Sequence, residues 1–113
     1  MSNPEHCVVY VTCPTEAKAG QIASALVEEK LAACANIVPG LRSVYAWQGR
    51  IENDPEVLLI IKSRIALLDA LTARVNELHD YDVPEVIALP IIGGSKDYLD
   101  WLAEETARDT EEH

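Results

Sequence analysis

The sequence has few basic side chains and contains no phenylalanine. Its nine lysines and arginines are outnumbered by 19 aspartates and glutamates, so the formal net charge of the 113 residues is −10. This balance argues against nucleic-acid and anionic-membrane partners, because both are held mainly by Lys and Arg. No stretch approaches the roughly 20 apolar residues that span a bilayer, and residues 1–10 lack the basic and apolar regions of a secretory signal. We therefore expect neither a nucleic-acid nor a membrane partner.

Cysteine is also scarce. The three cysteines, Cys7, Cys13 and Cys34, are odd in number and form no Cys-x-x-Cys pair, so the spacing predicts neither a disulfide framework nor a structural zinc site. Buried thiols that act as small apolar side chains are typical of this pattern. Together with the missing signal, they favour a cytoplasmic location. The length and the apolar share of 49% predict a single domain over residues 1–113, with an acidic tail, residues 104–113, that frays.

The long apolar segment at residues 32–63 predicts two strands that run out and back. Its returning half, residues 56–62, is a continuous aliphatic run, which is typical of a strand covered on both faces. Its outgoing half contains Pro39 and Gly40, which predict a sheet edge with a bulge. Such an arm is longer than a small domain can cover. We expect its far end to pack against another copy of the chain.

Two more strands are predicted on either side of this hairpin. Residues 6–13 are apolar on both faces and so indicate a second interior strand. Residues 85–92 form the last strand, and Pro90 within it favours a sheet edge, because proline cannot donate to the ladder.

Helical spacing of apolar residues predicts three helices. The first begins after Thr15, its N-cap, and ends near Leu31. The second covers residues 64–78, with Ser63 or a neighbour as its cap. A short third helix covers residues 96–107.

The predicted order is therefore β-α-β-β-α-β followed by a C-terminal helix. With the two most apolar strands in the centre and right-handed crossovers, this order gives an α+β, ferredoxin-like split βαβ fold. Four antiparallel strands then carry both crossover helices on one face. The other face keeps apolar side chains that these helices cannot cover, and we expect homo-oligomerisation to cover them.

His79 is the most distinctive polar residue. It lies at a predicted helix C-terminus, where the helix dipole favours the imidazolium form, and it is close in sequence to Glu85 and other carboxylates. An imidazole beside carboxylates can hold a divalent transition metal. Because such sites usually need three or four ligands, a structural histidine and a hydrogen-bonding pocket residue remain alternatives.

Lys62 and the aromatic residues are open to two interpretations each. Lys62 ends an apolar run, where a lysine usually extends to water, but it can also pair with Glu85 at a cleft between subunits. The aromatic side chains fit interface and core anchors or a ligand cage; they are Tyr45, Trp47, Tyr98 and Trp101. No nucleophile–base pair is recognisable, so we do not expect an enzyme.

Two segments resemble the CutA family of divalent-cation tolerance proteins: LVEEKLAACANIVPGLRSVYAWQGRIENDPEVLLIIKS and HDYDVPEVIALPIIGGSKDYLDWL. The similarity extends from Val8 to Leu102, and its motifs S-x-Y-x-W-x-G-x-I, E-x-x-L-x-x-K and H-x-Y-x-x-P-E are together specific. The resemblance implies a ferredoxin-like fold like that of the PII signal proteins, assembled as a homotrimer. It also implies a cytosolic protein of metal-ion tolerance, with copper binding in some members and no established reaction.

The motifs carry over by position. His79, Tyr81 and Glu85 match H-x-Y-x-x-P-E, whereas Lys62 and Trp47 match positions that line clefts between subunits in the family.

The chain departs from the family at two positions. Asp80 stands where the family usually has proline. Val11 stands at the position of the family's copper-binding cysteine in the first strand, and Cys13 is offset from it by two residues, a displacement of roughly 7 Å along a strand. These departures leave His79 and Glu85 as the expected metal ligands.

The resemblance and the residues together support two functional hypotheses. The first is a trimer that weakly binds a divalent metal, copper in preference to zinc, through His79 and Glu85. The alternative is a PII-like trimer that signals by binding a small anionic ligand in intersubunit clefts. The candidate cleft residues are Trp47, Lys62, Tyr81 and Tyr98. Neither hypothesis requires a cofactor.

Overall fold

The structure, a computed structural model, describes residues 4–107. Its strands and helices follow the predicted order, with a short 3-10 turn, Ile65–Leu67, before the second helix. The elements are β1 (His6–Cys13), α1 (Glu16–Glu28), β2 (Cys34–Trp47), β3 (Arg50–Arg64), α2 (Leu68–Leu78), β4 (Ile87–Pro90) and α3 (Lys96–Glu105). Within residues 4–107, none of these helices has the length and apolar character needed to cross a bilayer.

The strands form one antiparallel sheet in the order β2-β3-β1-β4. The two most apolar strands, β1 and β3, lie in its centre, as predicted. Val9 pairs with Ile61 and Val11 with Leu59, so alternate residues of both central strands share one face. That face packs against α1 and α2 and forms the core, which includes Ile22, Leu26, Leu71 and Val75.

The predicted bulge in β2 is present. The pairing of β2 with β3 shifts register between Val38 and Leu41. Gly40 lies in this interval with a φ of +85°, a conformation that glycine adopts without the steric penalty of a side chain. The bulge thus accommodates Pro39 and Gly40 in a strand at the edge of the sheet.

Beyond the bulge, β2 and β3 form a two-stranded arm, because β1 pairs only with residues 57–64 of β3. The arm, residues 41–56, closes through Gln48 and Gly49, whose φ angles of 50° and 79° are both positive. Positive φ at both central residues is the signature of a type I′ hairpin turn. The arm elongates the molecule, whose extents are 46 × 27 × 23 Å.

Helix α1 ends at Glu28, three residues before the predicted end near Leu31. Lys30 has a φ of 61°, and the amide of Leu31 donates to the carbonyl of Leu26 at 2.9 Å. This is the geometry of a Schellman C-cap, in which a left-handed residue ends the helix and an apolar residue folds back onto it. The apolar pattern continued past the helix because Leu31 is buried in the core.

Of the predicted caps, Ser63 or a neighbour, Ser63 is wrong: the neighbouring Arg64 precedes the 3-10 turn and Leu67 precedes α2, and neither forms a side-chain cap hydrogen bond. Ser63 belongs to β3, is fully buried, and donates its hydroxyl to the carbonyl of Leu31 at 2.7 Å. The strand therefore extends through Arg64, and α2 begins only after the 3-10 turn. Likewise, β4 spans only Ile87–Pro90 of the predicted residues 85–92, but it is an edge strand, as predicted, because it pairs with β1 alone.

Helix α3 packs on the face of the sheet opposite the core. The guanidinium of Arg64 donates to the hydroxyl of Thr106 at 2.9 Å and to its carbonyl at 2.7 Å, which ties the helix end to β3. Leu102 and Thr106 are fully buried, whereas Tyr98 and Trp101, expected as anchors, are exposed within the single chain. Of the tail predicted to fray, residues 108–113 lie outside the described residues.

Candidate functional site

A cleft of about 660 Å³ lies between the arm and the loop that follows α2. Its volume is within the range of about 300–1,000 Å³ that is usual for small-molecule sites. Among residues 4–107, four carboxylate residues line it and no lysine, arginine or histidine does. These acidic residues are Glu56, Asp80, Asp82 and Glu85. Asp80 is ion-paired with Lys18 at 3.3 Å, so the unbalanced negative charge comes from the other three, and it favours a cation over an anion.

Glu56 is the most buried of these acidic residues. It precedes the segment of β3 that pairs with β1, so it lies where the sheet narrows to the arm. Only 8% of its surface is exposed, and its Oε2 accepts the hydroxyl of Tyr81 at 2.8 Å. Within residues 4–107, its Oε1 has no hydrogen-bond partner and no basic group forms an ion pair with it.

Tyr81 and Tyr45 are hydrogen-bond donors in this part of the molecule. Burial, and then the hydrogen bond to Glu56, raise the pKa of Tyr81 above its ordinary value. The hydroxyl of Tyr45 donates to Asp54 at 2.8 Å, and this bond raises the pKa of Tyr45 to about 12. Both phenols therefore remain protonated donors at neutral pH.

Aromatic and aliphatic side chains complete the lining. Tyr45, Trp47 and Tyr81 supply ring surfaces, and Val44 and Val83 supply aliphatic surface. These residues come from two segments far apart in sequence, the arm and the loop after α2. The cleft therefore combines acidic groups with an apolar wall.

His79 holds the loop but does not line the cleft. The residue is 8% exposed, and its Nδ1 accepts a hydrogen bond from the amide of Tyr81 at 3.1 Å. Because Nδ1 is an acceptor, Nε2 carries the proton and donates to the carbonyl of Thr12 at 2.7 Å. A metal ion would have to displace the Tyr81 amide to reach the lone pair of His79.

The structure brings together three of the residues predicted from the sequence to form a site: Trp47, Tyr81 and Glu85. Lys62 and Tyr98 do not line the cleft. The ammonium of Lys62 donates to Asn36. Tyr98 lies near Cys34, because Cys34 adds to burial in raising the pKa of Tyr98. Cys34 in turn pairs with Lys62 across the strands. Within residues 4–107, Lys62 forms no ion pair with Glu85.

Cys13 is poorly suited to bind a metal. It is fully buried, and burial, followed by the charge of Glu56, raises its pKa to about 11. Since the thiolate is the ligand form, this thiol is protonated at neutral pH.

No three His, Cys, Asp or Glu side chains among residues 4–107 converge as metal ligands. A closed transition-metal site takes about four ligands, so the donors of the described residues do not form one within a single chain.

Sequence reasoning missed Glu56 and Asp82 as cleft residues. The available signal was a carboxylate at the start of an otherwise apolar strand and a second one inside the H-x-Y-x-x-P-E motif. Neither signal shows that the arm and the loop meet.

Comparisons with known proteins identify the family of this chain. The family model described as CutA1 divalent ion tolerance protein matches residues 7–105. The chain is 59% identical over 99 residues to "Protein CutA, chloroplastic" of Arabidopsis thaliana, covering 88% of this chain and 54% of that protein. It is 54% identical over 99 residues to the "Divalent-cation tolerance protein CutA" of Thermus thermophilus, covering 88% of this chain and 96% of that protein.

Known structures show the same fold. The crystal structure of CutA1 from Oryza sativa superposes with a TM-score of 0.90 at 54% identity, covering 94% of this chain and 97% of that one. The chain spans about half the length of the curated plant relatives that it matches. From the family match and these identities, the chain belongs to the CutA1 divalent ion tolerance protein family.

Proposed function

We propose that this protein contributes to divalent-cation tolerance by binding cations weakly in the acidic cleft, and that it acts by binding and not by catalysis. The observation that carries the proposal is a cleft that, in the part of the chain the structure describes, is lined by four carboxylate residues and no basic residue. Such a lining raises the local concentration of cations and repels anions. Membership of a divalent ion tolerance family also supports cation binding.

Of the two metal ligands expected from the sequence, Glu85 lines the cleft and His79 lies behind it. We propose that Glu85 contacts the cation, together with Glu56 and Asp82, largely through water. For His79 we propose a positioning role, because both of its ring nitrogens hold backbone groups. Imidazole nitrogen suits copper better than carboxylate and water oxygens do. A copper site would therefore require Nδ1 of His79 to release the Tyr81 amide.

The anionic-ligand alternative has less support. An anion needs a basic group, and the lysine assigned to it, Lys62, is bonded to Asn36 outside the cleft. Four carboxylate residues in the lining would repel an anion.

We also propose that the protein is a PII-like homotrimer located in the cytoplasm. Large apolar side chains on the arm support assembly, since Val44 is 66% and Ile51 74% exposed in the single chain. Ile87 and Leu89 of the edge strand β4 are exposed as well. Clustered exposed apolar side chains and open strand edges are typical of subunit interfaces. The trimer is proposed from the family resemblance. The cytoplasmic location is proposed from the resemblance and from the free thiols of Cys7, Cys13 and Cys34.

Calorimetric titration of Mn(II) and Cu(II) into chelator-treated protein tests the cation proposal. We expect saturable weak binding of Mn(II), weakened several-fold in Glu85→Gln. Glu28→Gln is the matched control, because it removes the same charge from an exposed position of α1. Equal weakening in both variants, or no saturation, would contradict the proposal.

Cu(II) separates the two roles of His79. If His79 only positions the loop, His79→Asn weakens Mn(II) and Cu(II) binding to a similar extent. A loss confined to Cu(II) would assign the imidazole to the metal.

A further inference from the structure

The cleft has a wall that a hydrated metal ion does not use. Three aromatic and two aliphatic residues line it beside the carboxylates: Tyr45, Trp47, Tyr81, Val44 and Val83. A hydrated ion gains nothing from apolar contact. An alkylammonium ion gains from both parts, because its methylene groups pack on apolar surface and its charge is attracted to aromatic faces and carboxylates.

Glu56 provides a second, independent indication of a cationic ligand. The residue as a whole is 8% exposed, and within the described part of the chain only one of its carboxylate oxygens is hydrogen-bonded, to Tyr81. A buried carboxylate without a counter-charge is costly. A ligand ammonium group in the cleft would supply both the missing charge and a donor for Oε1.

The size of the cleft and the spacing of its acidic groups also indicate a ligand larger than a metal ion. The volume of about 660 Å³ is far larger than a metal ion needs, and no three metal-ligating side chains among residues 4–107 converge on one point. Acidic groups spread along an apolar cleft match a molecule that carries several charges separated by methylene segments.

We propose that the cleft binds a linear di- or polyamine. One ammonium group bonds Glu56, a second lies near Asp82 and Glu85 on the loop, and the methylene chain between them packs against Trp47 and Val83. This inference rests on the cation-binding role proposed above and names the chemical class of the ligand. It assigns the aromatic side chains Trp47 and Tyr81 to recognition, beyond any role in assembly.

Spermidine is a suitable probe, titrated into the full chain by calorimetry and by tryptophan fluorescence. The chain contains two tryptophans, so a Trp101→Phe background leaves Trp47 as the reporter inside the cleft. An uncharged α,ω-diol of the same chain length controls for apolar contact alone. We expect saturable binding of one spermidine per chain, a change in Trp47 emission, and no saturation by the diol.

The charge variants identify the site. We expect Glu56→Gln, which keeps the shape of the side chain, to weaken spermidine binding by about tenfold or more, since it removes a charge-assisted hydrogen bond. Glu28→Gln removes the same charge outside the cleft and should leave the affinity within about twofold. Asp82→Asn, at an exposed loop position, provides a second test if Glu56→Gln does not fold. Equal weakening by Glu28→Gln and the cleft variants, or saturation by the diol, would overturn the proposal.

Mn(II) titrations on the same preparations separate this inference from the proposed function. Saturation by Mn(II) without saturation by spermidine would overturn the polyamine proposal and leave metal binding intact. Saturation by spermidine alone would support the polyamine and remove the metal from the proposed function.

Discussion

The hydroxyl of Tyr81 donates to the buried carboxylate of Glu56 across 2.8 Å. The two residues lie 25 positions apart in the sequence, one in the loop after α2 and one where β3 leaves the four-stranded sheet. This bond joins the two walls of the cleft. It is therefore the first contact to remove when the integrity of the site is tested.

We expect Tyr81→Phe to lower the free energy of unfolding by about 1–2 kcal/mol, because it leaves the buried carboxylate of Glu56 without its donor. Urea unfolding followed by circular dichroism measures the change. Tyr45→Phe is the matched control: it removes the same hydroxyl from a bond to Asp54 that is exposed to solvent, and we expect a clearly smaller loss of stability, because water replaces that bond. Equal losses in the two variants would show that burial of Glu56 does not strengthen the Tyr81 bond.

Alkaline pH should weaken the fold through the same tyrosine. Burial and the bond to Glu56 raise the pKa of Tyr81 above its unfolded value of 10.0, so the folded protein retains a proton that the unfolded chain loses. The resulting stabilisation is complete below pH 10 and declines as pH rises further. In urea unfolding at pH 9, 10 and 11, we expect the stability gap between wild type and Tyr81→Phe to narrow steadily. A gap that stays constant would contradict the raised pKa.

The exposed apolar arm predicts an oligomer that a single charge disrupts. We expect Val44→Asp to lower the mass measured by light scattering, because it places a carboxylate in a surface proposed to be buried between copies. Val27→Asp is the control: Val27 is also exposed but lies on α1, away from the arm. An unchanged oligomer mass for Val44→Asp would remove the arm from the interface.

Two glycines in different backbone conformations, Gly40 at the bulge in β2 and Gly20 in α1, are predicted to respond oppositely to substitution by alanine. Gly40 has a φ of +85°, so Gly40→Ala should destabilise the fold by about 1–2 kcal/mol through backbone strain. Gly20 lies in α1 with no atom within 4 Å of an added Cβ, so Gly20→Ala should stabilise it by about 0.5–1 kcal/mol. Thermal unfolding of both variants gives the two signs. Loss of stability in both would contradict this account of the helix position.

Much of the fold could be read from local chemistry. The aliphatic run in β3 and the two-sided apolar pattern of β1 predict central strands, and Pro39-Gly40 and Pro90 predict edges; the sheet order confirms all of these. Such patterns are readable because burial and backbone hydrogen bonding act on each strand separately. Element ends were less predictable: Ser63 is a typical helix cap by type, but its hydroxyl bonds Leu31, a partner 32 residues away.

The sequence by itself determined the acidic balance, the element order and the family motifs, because each depends on residues that are close together along the chain. Only the tertiary structure decided which of those residues share a site. It placed Trp47, Tyr81 and Glu85 around one cleft with Glu56, and it placed Lys62 beside Asn36. It also engaged both nitrogens of His79 with backbone groups. The physical reason is that the cleft is closed by contacts between β3 and the loop after α2, and no local pattern encodes the distance between them.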